Sequence, residues 1–341
     1  MEHLDKTLHV TTQGMHLRLE VDALRAERDD GTVIRIPFRQ LGAVHLYGRI
    51  GITTDAVHRL AKESIPLVWF TRAGRYVART TGPVSGNVLL RWSQFEAAAD
   101  PERSVSIARP IVAAKVLNSR TVLLDIAKDD SREAARHRDT AVQLAALVEA
   151  LPQADDLDTI RGIEGQAARV YLASIGAVPR QGEFRFAFRS RRPATDRMNA
   201  LLSFLYAMVR VRCAGALEAV GLDPQVGFLH ALRPGRESLA LDLMEEFRAP
   251  FADRFALTLV NRRQLAPSDF VERTGGAFEL SDDGRSTVLK AWDEFMSAAV
   301  PHRVMDRVVE RRFIPHVQAT LLARHLRGDV ADYLPFRTVG R

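Results

Sequence analysis

Near residue 85 the hydrophobic pattern of this chain changes period, so no single kind of secondary structure can bury both halves. Before that point apolar residues come in short runs, at 8–10, 17–19, 33–36, 44–46 and 67–70, separated by turn signals such as Asp29-Asp30-Gly31. Runs of this length bounded by turns predict strands. Residues 54–62 are the exception: Ala56, Val57, Leu60 and Ala61 fall at helical spacing and predict one short helix over the sheet. From residue 88 the period is 3.6 almost throughout, over 88–99, 105–127, 132–151, 159–174, 197–220, 239–247, 251–260, 287–298 and about 305–326. One insertion breaks it at 270–280, where Thr274-Gly275-Gly276 between two apolar runs predicts a hairpin. With 341 residues and 46% hydrophobic content, two cores are affordable. The expectation is an α+β chain with a small β-rich domain over 1–82, a linker over 83–87 and a larger all-α domain over 88–341 that houses the chemistry.

Two segments of the second domain carry the residues for that chemistry. In the first, Gly227-Phe228-Leu229-His230 is followed after a polar loop by Ser238-Leu-Ala-Leu-Asp242-Leu-Met-Glu245-Glu246-Phe247-Arg248. With Ser238 capping a helix, Asp242 and Glu245 share one face, and Leu239, Leu243 and Phe247 form an apolar stripe beside it. In the second, the helical segment 157–171 sets Glu164 between Ile163 and Gly165, a glycine that leaves room for a close ligand. Taken singly, carboxylates three apart usually lie on a solvated helix face, and a histidine ending an apolar run is usually a core residue. An imidazole and several carboxylates together have the makings of a metal site. Gathering Glu164, Asp242 and Glu245 around one point without a cation would be unfavourable, so removing one acid is expected to relieve repulsion.

In order and spacing, these segments resemble the signature of the CRISPR-associated integrase family, the catalytic subunit of the spacer-acquisition complex, in an I-C-like form. Agreement extends to 7–14, 51–54, Arg192-Pro193, Asp196, 199–206, Gln318-Ala319, 326–328 and Tyr333-Leu334-Pro335-Phe336, essentially the whole chain. The resemblance implies that Glu164, His230 and Glu245 bind one divalent ion and that Asp242 is an accessory acid, the four forming the catalytic set. Two carboxylates and an imidazole suit Mg²⁺ or Mn²⁺, and three protein ligands leave positions open for phosphate oxygens and a nucleophile. The implied reaction is attack by the 3′-OH of a protospacer end on a phosphodiester at the edge of a repeat; with water as nucleophile the same site is a nuclease. Implied partners are double-stranded DNA (protospacer and leader-repeat), a second copy joined through the β-rich domain, a small ferredoxin-like adaptor subunit and an iron-sulfur nuclease.

Composition fits a DNA-binding protein. The formal charge is +6, carried by 43 Arg and only 5 Lys, and Arg can grip phosphate with two parallel bonds. A GC-rich genome produces the same ratio. Between the two chemistry-bearing segments, Arg185, Arg189, Arg191 and Arg192 alternate with Phe184, Phe186 and Phe188, and are expected to contact the DNA backbone. A charged strand with its Phe residues facing a core would look alike. A single cysteine, Cys213, excludes an internal disulfide framework or zinc ribbon. His302, His316 and His325 have no acid at matching spacing and are not expected to be ligands. Neither a secretory leader nor a run approaching 18 uninterrupted apolar residues is evident, which points to a cytoplasmic protein without a membrane span. Two rival classes stay open: a metal-dependent nuclease for branched repair intermediates, and a non-enzymatic DNA-binding scaffold.

Overall fold

The computed structural model describes residues 6–28, 30–80, 88–129, 133–190 and 193–340. The expected linker, 83–87, lies outside them, as do Asp29, Arg191 and Arg192. The chain forms two compact units: one comprises residues 1–85, 269–271 and 279–293, and the other 86–268, 272–278 and 294–341.

In the first unit, β1 (Lys6–Val10), β5 (Leu41–Tyr47), β7 (Leu67–Phe70) and β8 (Tyr76–Arg79) form one sheet in that order. β2 (His16–Glu20), β3 (Ala23–Glu27), β4 (Val33–Pro37) and β6 (Gly51–Ile52) form another, ordered β4-β3-β2-β6. The alternation within each strand turns Leu17, Leu24, Val44, Leu46 and Leu67 into a common core, which α1 (Thr54–Lys62) joins through Ala56 and Leu60. Thr53 caps this helix by accepting from the Ala56 N–H at 3.4 Å. From the distant part of the sequence, Asp282 pairs with Arg72 and with Arg285.

Helices dominate the second unit: α2 (Val88–Ala99), α3 (Pro101–Asp129), α4 (Ala134–Ala150), α5 (Leu157–Ile175), α6 (Arg197–Ala219), α7 (Ser238–Met244) and α8 (Arg254–Asn261). The spine is α3, which packs along α4 and α5, while α6 packs along α7. By length and composition α6 could cross a bilayer, but 67% of its apolar window is buried within the protein, which makes it a core helix.

Beyond residue 88 the chain is not all-α. The hairpin expected around 274–276 forms, with β9 (Phe270–Arg273) and β10 (Ala277–Leu280) joined through Gly275 and Gly276 at positive φ. After α9 (Asp282–Ser297), a second hairpin pairs β11 (Ala299–His302) with β12 (Arg307–Glu310). Helical spacing had been read from residue 305 onward. Instead the β-branched Val308 and Val309 extend the chain, and the helix α10 (Ile314–Leu326) starts only where Pro315 can occupy its first turn. The segment expected as one helix over 239–247 also ends early, at Met244. A π-helical turn, Arg248–Asp253, follows it; Pro250 has no N–H to give, and the Arg254 N–H reaches back five residues to the Ala249 carbonyl.

Candidate metal centre

Three segments of the second unit meet around one side chain that sequence reasoning overlooked, Lys115 of α3. Its ammonium bonds Glu164 Oε1 and lies 2.6 Å from Glu245 Oε2. Glu164 projects from the second turn of α5, a helix begun by Asp156, whose carboxylate accepts the Thr159 N–H and hydroxyl at 2.8 Å each. Three residues before Glu164, Arg161 donates to the Leu229 carbonyl at 2.7 Å and so ties α5 to the loop that presents His230.

That loop is built on Asp242. Its fully buried carboxylate accepts the N–H groups of Phe228 (2.6 Å), Leu229 (3.0 Å) and His230 (2.9 Å), and lies 2.6 Å from His230 Nδ1. Nδ1 is thereby committed to Asp242 and Nε2 is the ring nitrogen turned toward Glu245, the arrangement of a ligating histidine with a supporting acid. Nε2 stands 3.9 Å from Glu245 Oε1. Gly227 is obligatory here: a Cβ would come within 2.6 Å of Asp242 Oδ2 and 2.7 Å of the Ser238 carbonyl carbon. Ser238 is not the cap; it is the first residue of α7, and its hydroxyl donates to the Ala231 carbonyl. Asp242 is thus a positioning acid. Asp242→Asn should lower activity about 10–100-fold, because an amide offers one acceptor where four donors converge. Wild-type rates from this variant would remove Asp242 from the site.

Glu245 is 2% exposed. Burial alone would push its carboxyl up, but Arg248 (3.0 Å), Lys115 and His230 together outweigh it and hold the group down at about 2. Next to it, Glu246 points the other way, taking bonds from the Tyr333 hydroxyl, the Phe336 N–H and Gln318. Asn118, one turn past Lys115 on α3, donates to the Glu246 carbonyl at 2.8 Å and fixes the turn that aims the two acids apart.

The predicted residues Glu164, His230, Asp242 and Glu245 therefore lie in one cluster. Among the described residues, no three His, Cys, Asp or Glu side chains stand as a metal-holding set; the two carboxylates are spaced around the ammonium instead. Their chemistry still fits a divalent cation, since both already meet on one positive charge and an imidazole nitrogen faces the second of them. Gly165 faces open space beside Glu164. The repulsion expected among the acids is absent for a physical reason. Lys115 and Arg248 neutralise Glu164 and Glu245, and backbone N–H groups cage Asp242. Lys115 had left a trace in the sequence, as one of 5 lysines, set within the otherwise apolar run 111–117.

Of the arginines expected to touch DNA, Arg185 is exposed. Arg189 is half-buried and donates to Asn199 Oδ1 and Ser203 Oγ, both at 2.8 Å, with its guanidinium 5.3 Å from the Tyr206 ring centroid. The surrounding stretch is irregular rather than a strand, with Phe184 and Phe186 buried and Phe188 exposed. His302 is a core residue, bonded to Gln318 at 3.0 Å and shifted down by burial.

A model of the family described as CRISPR associated protein Cas1 matches residues 8–294. The chain belongs to the Cas1 family. A CRISPR-associated endonuclease Cas1 of Moorella thermoacetica is 46% identical over 98% of this chain and 99% of its own length. Among solved structures, a Cas1 protein from Thermotoga maritima is 25% identical with a TM-score of 0.81, covering 95% of this chain and 97% of that one. A casposase bound to integration product shares the fold at 22% identity, with a TM-score of 0.85 over 96% and 93%. Two further relatives join the same domain to others. One is a Cas4 exonuclease/Cas1 fusion of Geobacter sulfurreducens, 33% identical over 97% of this chain and 60% of the fusion. The other is a Cas6-RT-Cas1–Cas2 complex, 24% identical with a TM-score of 0.82 over 100% and 37%. This chain is accordingly a CRISPR-associated endonuclease of that family.

Proposed function

We propose that this Cas1 protein joins protospacer ends to a CRISPR repeat by 3′-OH attack, using Mg²⁺ or Mn²⁺ held by Glu164, His230 and Glu245. The observation that carries this reading is the meeting of Glu164 and Glu245 on the Lys115 ammonium, with Nε2 of His230 facing Glu245. When bound, the ion supplies Lewis-acid stabilisation to the phosphate under attack. The chain's own part is preparation: Arg248 keeps Glu245 ionised, Asp242 fixes the histidine tautomer, and Arg161 sets the distance between α5 and the His230 loop. Arg185 and the segment through Arg192 are assigned to the DNA backbone, and the β-rich unit to a homodimer interface. The ferredoxin-like adaptor is the partner that bridges such dimers, in line with the Cas1–Cas2 assembly, and the Cas4 fusion supports an iron-sulfur nuclease as companion. The setting is cytoplasmic and the subtype I-C-like.

The test is incubation with the adaptor, a protospacer and a supercoiled plasmid carrying leader and repeat. Joining should require Mn²⁺ or Mg²⁺ and stop on chelation. Undiminished joining in excess EDTA would refute the metal reading. Cleavage of branched DNA without any strand transfer would favour the general repair nuclease.

A further inference from the structure

We propose that Lys115 is an internal counter-ion of the site: its ammonium holds Glu164 and Glu245 together in the metal-free protein and competes with the divalent ion for them. This rests on the metal reading above. Each oxygen of Glu245 is engaged separately, Oε1 by Arg248 at 3.0 Å and Oε2 by Lys115 at 2.6 Å. Glu164 Oε1 bonds the same ammonium, so a divalent ion held by both carboxylates would have to displace it. Arg248 forms its ion pair with Glu245 and is held from the other side by the Tyr206 ring, 4.8 Å away.

The side-chain type supports a replaceable cation. An ammonium on a four-carbon stem is a point charge that can swing away, whereas a guanidinium forked between two acids is held by its fixed geometry. Lys115 is 8% exposed, on a helix whose neighbouring positions Ile111, Val112, Ala114 and Val116 are buried. A lysine at such a place is retained only if its charge is matched. The consequence is a site whose carboxylates stay gathered and compensated before metal arrives, at the cost of weaker metal binding.

Mn²⁺ binding to the full-length protein, measured by electron paramagnetic resonance and calorimetry, tests this together with metal-free melting. Lys115→Met should bind Mn²⁺ with a Kd about tenfold lower than wild type. Its metal-free Tm should fall by roughly 5 °C or more, since the buried Glu245 and the half-buried Glu164 lose their shared partner, and should recover more than the wild type on adding Mn²⁺. Lys115→Gln, uncharged but still a donor, is the second neutral variant should the Met form not fold without metal, and the same tightening is expected. Glu164→Gln separates the two ideas. If wild-type Mn²⁺ binding depends on Glu164 but neither neutral variant binds more tightly, Lys115 is no competitor and the metal reading stands. If no protein shows Glu164-dependent Mn²⁺ binding, both fall.

Discussion

Glu164→Ala, His230→Ala and Glu245→Ala will each reduce plasmid nicking and protospacer joining on the order of 10³-fold or more, a loss of about 4 kcal/mol in transition-state stabilisation. Each residue is held in place by its own set of protein groups: Glu164 by the capped α5, His230 by the Asp242 cage, Glu245 by Arg248 and Asn118's grip on the following carbonyl. No neighbouring carboxylate can substitute, because Asp242 is filled with N–H donors and Glu246 faces the opposite side. A well-folded Glu164→Ala protein that still joins a 3′-OH to the repeat at near wild-type rate would overturn the assignment. Stability should separate the variants. Repulsion among bare acids would make every removal stabilising, but the structure reverses this for Glu245. Its deletion leaves the buried Lys115 with Glu164 alone and takes the ion-pair partner from the half-buried Arg248, a loss of about 3 kcal/mol.

What could be read from the chain beforehand divides along physical lines. Strand runs and helical periods depend on local spacing, so the β-rich start and the positions of α1, α3, α5 and α6 follow from the sequence closely. The β11–β12 hairpin did not, because a short run holding Val308 and Val309 matches either period, and only pairing with Ala299–His302 decides it. The four residues of the cluster were legible because Glu164, His230, Asp242 and Glu245 sit in distinctive local motifs. The physical reason that Asp242 is the supporting acid was not: it depends on where the 227–230 loop folds back, and the three N–H groups that single out Asp242 are backbone, invisible in residue type. Lys115 and Arg161 escaped because each acts on a partner 45 or more positions away, at separations of 49 and 68 residues.

Stability should fall as pH rises from about 5 to about 8, and Glu246→Gln should remove most of that slope. Burial raises the Glu246 carboxyl from 4.5 to about 8, with the bonds from Tyr333, Phe336 and Gln318 pulling partly back. A carboxyl raised in the native state binds more protons there than in the unfolded chain over that interval. Its stabilising contribution is therefore full below 4.5 and is lost as pH climbs through about 8, at most about 4–5 kcal/mol. Asp253, raised by burial from 3.8 to about 6, adds the same sign over a lower window. Glu245, held at about 2, works in the opposite sense but only below 4.5, where its contribution is lost as pH falls toward 2. Between pH 5 and 8 Glu246 dominates. Its substitution by Gln costs hydrogen bonds at every pH, since the amide nitrogen cannot accept from the donors around it, so the slope of Tm against pH rather than its level is diagnostic. Wild-type Tm should decline across the interval while the Gln variant stays nearly flat apart from two opposed contributions at its acid end, Asp253 lowering stability near 6 and His302, held below 6.5 by burial, raising it as pH climbs toward 6.5. Parallel slopes for the two proteins would mean that Glu246 is ionised throughout and that its three donors, not burial, decide its state.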